Sequence, residues 1–296
     1  MKNALLLPLL TVALLAGSTD ARTSENKSGV PFPPAPTFDT ADREAYGRQL
    51  ADYADLYDQG WFDEVAQGRM TLFDAGGDSV QRTFTRMLLE DATAGDKIII
   101  RFLTPAEIKG VAALTHEKPG DSDDNWLYLP ANKRVRRISG ANKTASFQGT
   151  EFTYEDLSNL EIVEYDWRFL DETDLAREGQ DTVPVYRVEA KPNYKDTGYS
   201  RIVVYFHRDH WRRERIEYFD KAGQHLKTQD SYDWVQHHGR FWRANGISMD
   251  NHLTGKRTVL RQEKDFVNLS LYKSSKTGKA RSNLNESRFT TQALQL

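Results

Sequence analysis

The sequence predicts a mainly β protein whose strands follow one another as an antiparallel meander. Three observations predict it. Short runs alternate with a period of two, as in "KIIIRFL" (97–103) and "RIVVYFH" (201–207), so every second side chain shares a face. Turn chemistry separates run from run, as in "DAGGDS", "DKAGQ", "HHGR" and "LTGK". Helical spacing occurs in only two places. Strand after strand with short links and few helices gives an antiparallel architecture.

Taken in order, the chain opens on "MKNALLLPLLTVALLAGSTDA", with one lysine, an apolar run from Ala4 to Ala16 and then small residues. This reads as a secretory signal peptide over 1–21, with cleavage after Ala21 or after Ser18. The apolar run is shorter than the roughly 20 residues a membrane span needs. Residues 22–39 are polar and then proline-rich, a flexible arm. A single domain is expected over 40–296. It begins with an amphipathic helix from Asp42 to Asp58, in which Tyr46, Leu50, Tyr53 and Tyr57 recur at three- and four-residue spacing; Thr40 can cap it and Gly60 can close it.

Strands follow. Residues 68–90 form a hairpin, and 96–103, 109–117, 125–130 and 133–139 supply four more strands. After an interruption, seven runs between Glu161 and Leu271 continue the pattern. Ile98, Ile100 and Phe102 share one face, as do Ile202, Val204 and Phe206, and Ile216 and Tyr218. Tyr186, Val188 and Ala190 repeat the arrangement. A long sheet with one apolar face must close on itself, pack on a second sheet or be covered. Two helical segments are too few to fill it, which leaves room for a cavity.

The interruption is "FQGTEFTYEDLSNL" (147–160). It predicts a short helix capped by Thr150, with Phe152 or Thr153 as less favoured caps, and with Tyr154, Leu157 and Leu160 on one face. That face can plug a core, or it can cover the mouth of a cavity.

Composition narrows the function. The formal net charge is -3, so no broad excess of positive charge is available to neutralise phosphates and a nucleic-acid partner is not expected. The chain has no cysteine, which removes disulfides, thiolate metal sites, a cysteine nucleophile and a lipid-modified N-terminal cysteine.

The order "RTFTRMLLE", "DKIIIRFLTPAEIKGVAAL", "WLYLPANKRVRRI", "GTEFTYEDL", "VYRVEAKP", "RRERIEYFDKAGQHLKT" and "MDNHLTGKRTVLR" resembles the LolA-like family of exported outer-membrane lipoprotein-sorting proteins. The resemblance runs from Asp42 to Leu296, and "WLYLP…RVRRI…GTEFTYEDL" is its most specific part. It implies a half-open antiparallel β-barrel with helices across its mouth as a lid. It also implies a concave face that holds acyl chains or other hydrophobic ligands, and a link to transporters of the resistance-nodulation-division (RND) type. The chain departs from the carriers in an acidic loop (116–125) and a basic loop (273–283).

The expected function is therefore that of a periplasmic, monomeric carrier of a lipid or acylated lipoprotein, with no catalysis, cofactor or metal. Its cavity lining is expected to be Ile98, Ile100, Phe102, Ile202, Val204, Phe206, Ile216 and Tyr218, beneath a lid of Tyr154, Leu157 and Leu160. Lys133, Arg134, Arg136 and Arg137, beside the lid, form either a solubilising strand face or a docking surface for an acidic transporter loop or anionic headgroups.

Other constellations are weaker. His207 and His210 could meet a metal only on a helix, and their segment reads as a strand end and turn. "DSDDN" (121–125) lacks the glycine and glutamate of a calcium-binding EF-hand loop. Adjacent carboxylates such as Glu155 and Asp156 do not create the separation a glycosidase needs. Two alternatives to a carrier stand: an envelope assembly factor whose barrel is filled, and a hydrolase of envelope lipid or glycan.

Overall fold

The computed structural model describes residues 25–34, 36–177, 181–267 and 284–296. The expected signal peptide and the basic loop 273–283 lie outside the described residues.

The chain is mainly β. A helix, α1 (Arg43–Asp58), precedes six strands: β1 (Asp63–Phe73), β2 (Ser79–Leu89), β3 (Lys97–Thr104), β4 (Ala112–His116), β5 (Asp124–Leu129) and β6 (Arg134–Ile138). A single helical turn, α2 (Tyr154–Leu157), comes next. Seven further strands follow among the described residues: β7 (Tyr165–Leu175), β8 (Val183–Pro192), β9 (Tyr199–His207), β10 (Arg213–Asp220), β11 (His225–His237), β12 (Phe241–Asn251) and β13 (Arg257–Val267).

All thirteen form one antiparallel sheet in the order β6-β5-β4-β3-β2-β1-β13-β12-β11-β10-β9-β8-β7. The sheet is open, because β6 and β7 are its two edges and do not pair. The two meanders meet where β1 pairs β13, with Met70 opposite Leu260.

This order explains the interruption in the strand pattern. Consecutive strands β6 and β7 lie at opposite edges, so the chain between them has to travel from one edge to the other. Residues 139–164 make that crossing, and α2 sits within it.

The alternation resolves as the period-two pattern requires. Ile98, Ile100 and Phe102 join one hydrophobic cluster, whereas Ile99 joins another with Leu114, Phe289 and Leu294. Likewise Ile202, Val204 and Phe206 share a cluster with Val188 and Ala190, while Val203 and Tyr205 pack with Val185. The C-terminal segment supplies Phe289 and Leu294 to the face opposite Ile98 and Ile100.

Helix α1 is capped by Asp42, not Thr40; the Asp42 carboxylate accepts from the Glu44 and Ala45 amides. An aspartate directly before the first turn outcompetes a threonine two residues earlier. Its buried face, Tyr46, Gly47, Leu50, Ala51 and Ala54, closes over β7 and its neighbours. At Gly47 the approach is so close that a Cβ would lie 2.5 Å from the Phe169 amide nitrogen. Among the described residues no helix is long and apolar enough to cross a membrane.

Candidate functional site: a cavity between two half-cores

The concave face carries two hydrophobic clusters and is not filled between them. One joins α1 to β7–β10 through Leu50, Trp167, Val204 and Tyr218; the other joins β1–β5 to the crossover through Met70, Phe84, Ile100, Phe147 and Tyr154. Between them lies a cavity of about 620 Å³.

Ile98, Ile100, Ile202, Phe206, Ile216 and Tyr218 line this cavity. Phe102 and Val204 are set back from it. Phe102 stacks on Phe147 with ring centroids 5.7 Å apart, and Val204 is buried in the cluster that α1 closes. Of the lid residues, Leu157 and Leu160 reach the cavity. Tyr154 turns toward Phe147, ring edge to face at 5.5 Å, and its hydroxyl accepts a 3.4 Å bond from Gln148 Nε2.

The lid helix differs from the sequence expectation in two ways. Its cap is Thr153, not Thr150. The Thr153 hydroxyl accepts from the Asp156 amide at 3.2 Å, and the Asp156 carboxylate accepts from the Thr153 amide at 2.6 Å. Thr150 instead donates to the carbonyls of Phe147 and Phe152 and closes the preceding turn. The helix also ends at Leu157, so Leu160 reaches the cavity from the extended chain beyond it.

Two adjacent carboxylates fix α2. Asp156 accepts from Lys227 Nζ at 2.5 Å and from the Tyr199 hydroxyl at 2.6 Å. Glu155 accepts from Tyr194 and Thr197 at 2.6 Å each and from the Gly198 amide at 2.9 Å. Burial, reinforced by Asp156, pushes the Tyr199 phenol far above its usual value and keeps it a donor. The carboxylate pair therefore anchors the crossover.

The walls are more polar than the apolar pattern foretells. Glu64 bonds both Arg86 and Arg243, the latter at 2.6 Å. Burial alone would raise the Glu64 carboxyl, but the two guanidiniums outweigh it and hold it down at about 2. Another group of carboxylates gathers on the cavity wall: Asp55 from α1, Glu90 and Asp96 around the β2–β3 link, Glu117 after β4, and Glu161 from the crossover. Burial pushes Glu117 up to about 8, against bonds from the Asn159 amide at 2.7 Å and Asn159 Nδ2 at 3.0 Å, with Asp96 and Asp123 adding to the rise. Burial, with Asp123 and Asp55 next, pushes Glu161 up to about 7.

Sequence reasoning missed these charges, yet part of the signal was present. Glu64 has the same strand phase as the buried Ala66 and Met70, and Arg86 the same phase as Phe84 and Leu88.

His207 and His210 face each other with ring centroids 4.5 Å apart, and His207 Nδ1 accepts from the Asp209 and His210 amides in a turn. Among the described residues no group of three or more histidine, aspartate or glutamate side chains could hold a metal. Lys133, Arg134, Arg136 and Arg137 lie at the β6 edge and are exposed; Arg137 pairs with Asp124.

An open antiparallel sheet with a cavity on its concave face, apolar in its floor and charged along part of its wall, defines a half-open barrel. A family model described as an uncharacterized protein matches residues 94–295. A crystallised domain from Vibrio parahaemolyticus, provisionally named an outer membrane lipoprotein-sorting protein, is 36% identical, with a TM-score of 0.74 over 84% of this chain and 98% of that one. A DUF1329 family protein from Desulfovibrio piger is 27% identical, with a TM-score of 0.74 over 86% and 99% of the two chains. A LolA superfamily protein from Nitrosomonas europaea shares the fold at 16% identity, with a TM-score of 0.60 over 83% and 98%. No curated protein matches. The chain belongs to the LolA-like family.

Proposed function

We propose that this protein is a periplasmic carrier that holds a hydrophobic or acylated cargo, a lipid or a lipoprotein, in its half-barrel and passes it on within the envelope. The single observation that carries this reading is the cavity of about 620 Å³ left open between two well-packed half-cores. A size in this range is typical of small-molecule sites. A filled-barrel assembly factor has no use for such a space.

Transfer follows from differential affinity. Each methylene shielded from water stabilises the complex by about 0.8 kcal/mol, and the acceptor must bind more tightly than the carrier. Ile98, Ile100, Ile202, Phe206, Ile216 and Tyr218 supply the apolar contact, with Phe102 and Val204 supporting them from behind and Leu157 and Leu160 covering the mouth. Residues 1–21 direct export and are removed, 22–39 form an arm, and 40–296 form the carrying domain. The exposed cations at the β6 edge, Lys133, Arg134, Arg136 and Arg137, offer an RND-type transporter a docking surface. The protein works as a monomer and without catalysis.

Titration with N-phenyl-1-naphthylamine, whose fluorescence rises in apolar surroundings, tests the reading. Ile247, on β12, also lines the cavity, and saturable uptake that drops in an Ile247→Trp variant with an unchanged melting temperature supports it. No uptake by the native chain refutes it.

A further inference from the structure

The two edges of the open sheet are protected differently. At β7, helix α1 lies against the strand, Arg43 donates to the Leu170 carbonyl at 3.0 Å, and a register shift between Phe169 and Asp171 bends the edge. Strand β6 has no such cover. It pairs with β5 without a bulge, from Arg134 opposite Leu129 to Ile138 opposite Asn125, and among the described residues no strand pairs with its outer side. The unpaired N–H and C=O groups of such an edge are a template for another extended chain.

The charges on β6 exclude one occupant, a second copy of this chain. Two β6 strands meeting antiparallel set Arg136 opposite Arg136, and a shift of one residue sets Arg137 opposite Arg134 or Arg136. Like charges directly opposite are destabilising. The same charges fit a different occupant. Lys133, Arg134 and Arg136 are exposed and have no carboxylate partner among the described residues, while Arg137 shares Asp124 with Lys118. This local excess of cations stands in a chain whose formal net charge is -3.

Their placement favours a strand over a membrane surface. Arg134 and Arg136 have the phase of Leu129 and Leu127, on the concave side, and Arg137 has that of Trp126, on the convex side. Cations on both faces of one strand do not make a flat patch for headgroups; they flank an added strand from both sides.

We propose that the β6 edge takes an extended acidic segment of a partner protein as an added strand, with carboxylates opposite Arg134 and Arg136. This rests on the docking role given to these cations above, and not on the contents of the cavity. Selection of short peptides from a displayed random library against the native chain tests it. The enriched peptides are expected to carry Asp or Glu at alternate positions. Their affinity, read by fluorescence polarisation, is expected to fall by about tenfold or more for Arg134→Glu combined with Arg136→Glu at an unchanged melting temperature. N-methylation of every second peptide amide keeps the charges but removes backbone donors, and in one of its two phases it is expected to cost about tenfold or more as well.

Enrichment of no acidic sequence, or binding that survives N-methylation in both phases, overturns strand addition. Binding to vesicles of phosphatidylcholine and phosphatidylglycerol that the double variant loses, with no peptide enriched, assigns the edge to a membrane surface and overturns the proposal too. The double variant is expected to take up N-phenyl-1-naphthylamine as the native chain does, so these results leave the carrier reading standing. Absence of probe uptake by the native chain refutes the carrier reading alone.

Discussion

Lys227 Nζ lies 2.5 Å from Asp156 Oδ2, and the two side chains are 3% and 0% exposed. The pair ties the single turn of α2 to β11 in the middle of the second meander. Lys227 also donates to the Glu151 carbonyl at 3.2 Å, and Tyr199 donates to Asp156, so both charges are surrounded by partners. A chain that crosses an open sheet from edge to edge is thereby fixed near its midpoint. Leu157, the next residue, is held over the cavity by that anchor.

Removing one member of this pair leaves the other charge buried alone. Lys227→Met or Asp156→Ala is expected to destabilise the protein by about 3–5 kcal/mol, and the double variant Lys227→Met/Asp156→Leu by much less. Urea unfolding of the three variants checks it. Additive losses would mean that the two charges do not act as a pair.

Leu157→Glu places a charge at the cavity face of an anchored turn. The expected result is probe affinity reduced by about tenfold or more, with a loss of folding stability of at most about 1–2 kcal/mol. Parallel probe titration and thermal melting separate the two effects. Equal losses in both would make the residue an ordinary part of the core.

Glu117 gives stability a pH dependence of defined sign. Its carboxyl is pushed up by burial to about 8 in the folded chain, above the 4.5 of an unperturbed glutamate, so the folded state favours the protonated form. That contribution is fully present below about pH 4.5 and is lost as pH rises through 8. Glu161, raised to about 7, acts in the same direction. Glu64 acts the opposite way, since its stabilisation is lost only as pH falls through about 2. Melting temperature is therefore expected to fall between about pH 5 and pH 9, and Glu117→Gln to flatten that slope. Melting curves across this range decide it; an unchanged slope in the variant would exclude Glu117 as a source.

Gly47→Val tests how α1 is seated. A Cβ at this position would come within 2.5 Å of the Phe169 amide nitrogen and 2.6 Å of the Arg168 carbonyl carbon, both backbone atoms that cannot rotate away. The variant is expected to lose about 1–3 kcal/mol or more, measured by urea unfolding, as α1 is forced off β7.

The sheet itself was legible because alternation survives folding. In β3 the phase that puts Ile98 and Ile100 on the cavity is the one visible in "KIIIRFL", and in β9 the same holds for Ile202 and Phe206. What alternation does not tell is depth. Phe102 and Val204 have the correct phase, but they lie where Phe147 and the α1 cluster already fill the concave face. The cap at Thr153 rests on Asp156 returning a bond to the Thr153 amide, a carboxylate three residues on that Thr150 lacks. The polar wall was hidden for another reason. Asp55, Asp96, Glu117 and Glu161 are far apart in sequence and meet only because the crossover closes against the loops beside β3 and β4.

The most direct test of the central claim is native mass spectrometry of the protein purified from periplasm without detergent, followed by organic extraction. A stoichiometric adduct with the mass of a lipid or an acylated species, released on extraction, is expected. A clean unliganded mass, from a chain that also takes up no apolar probe, would contradict it.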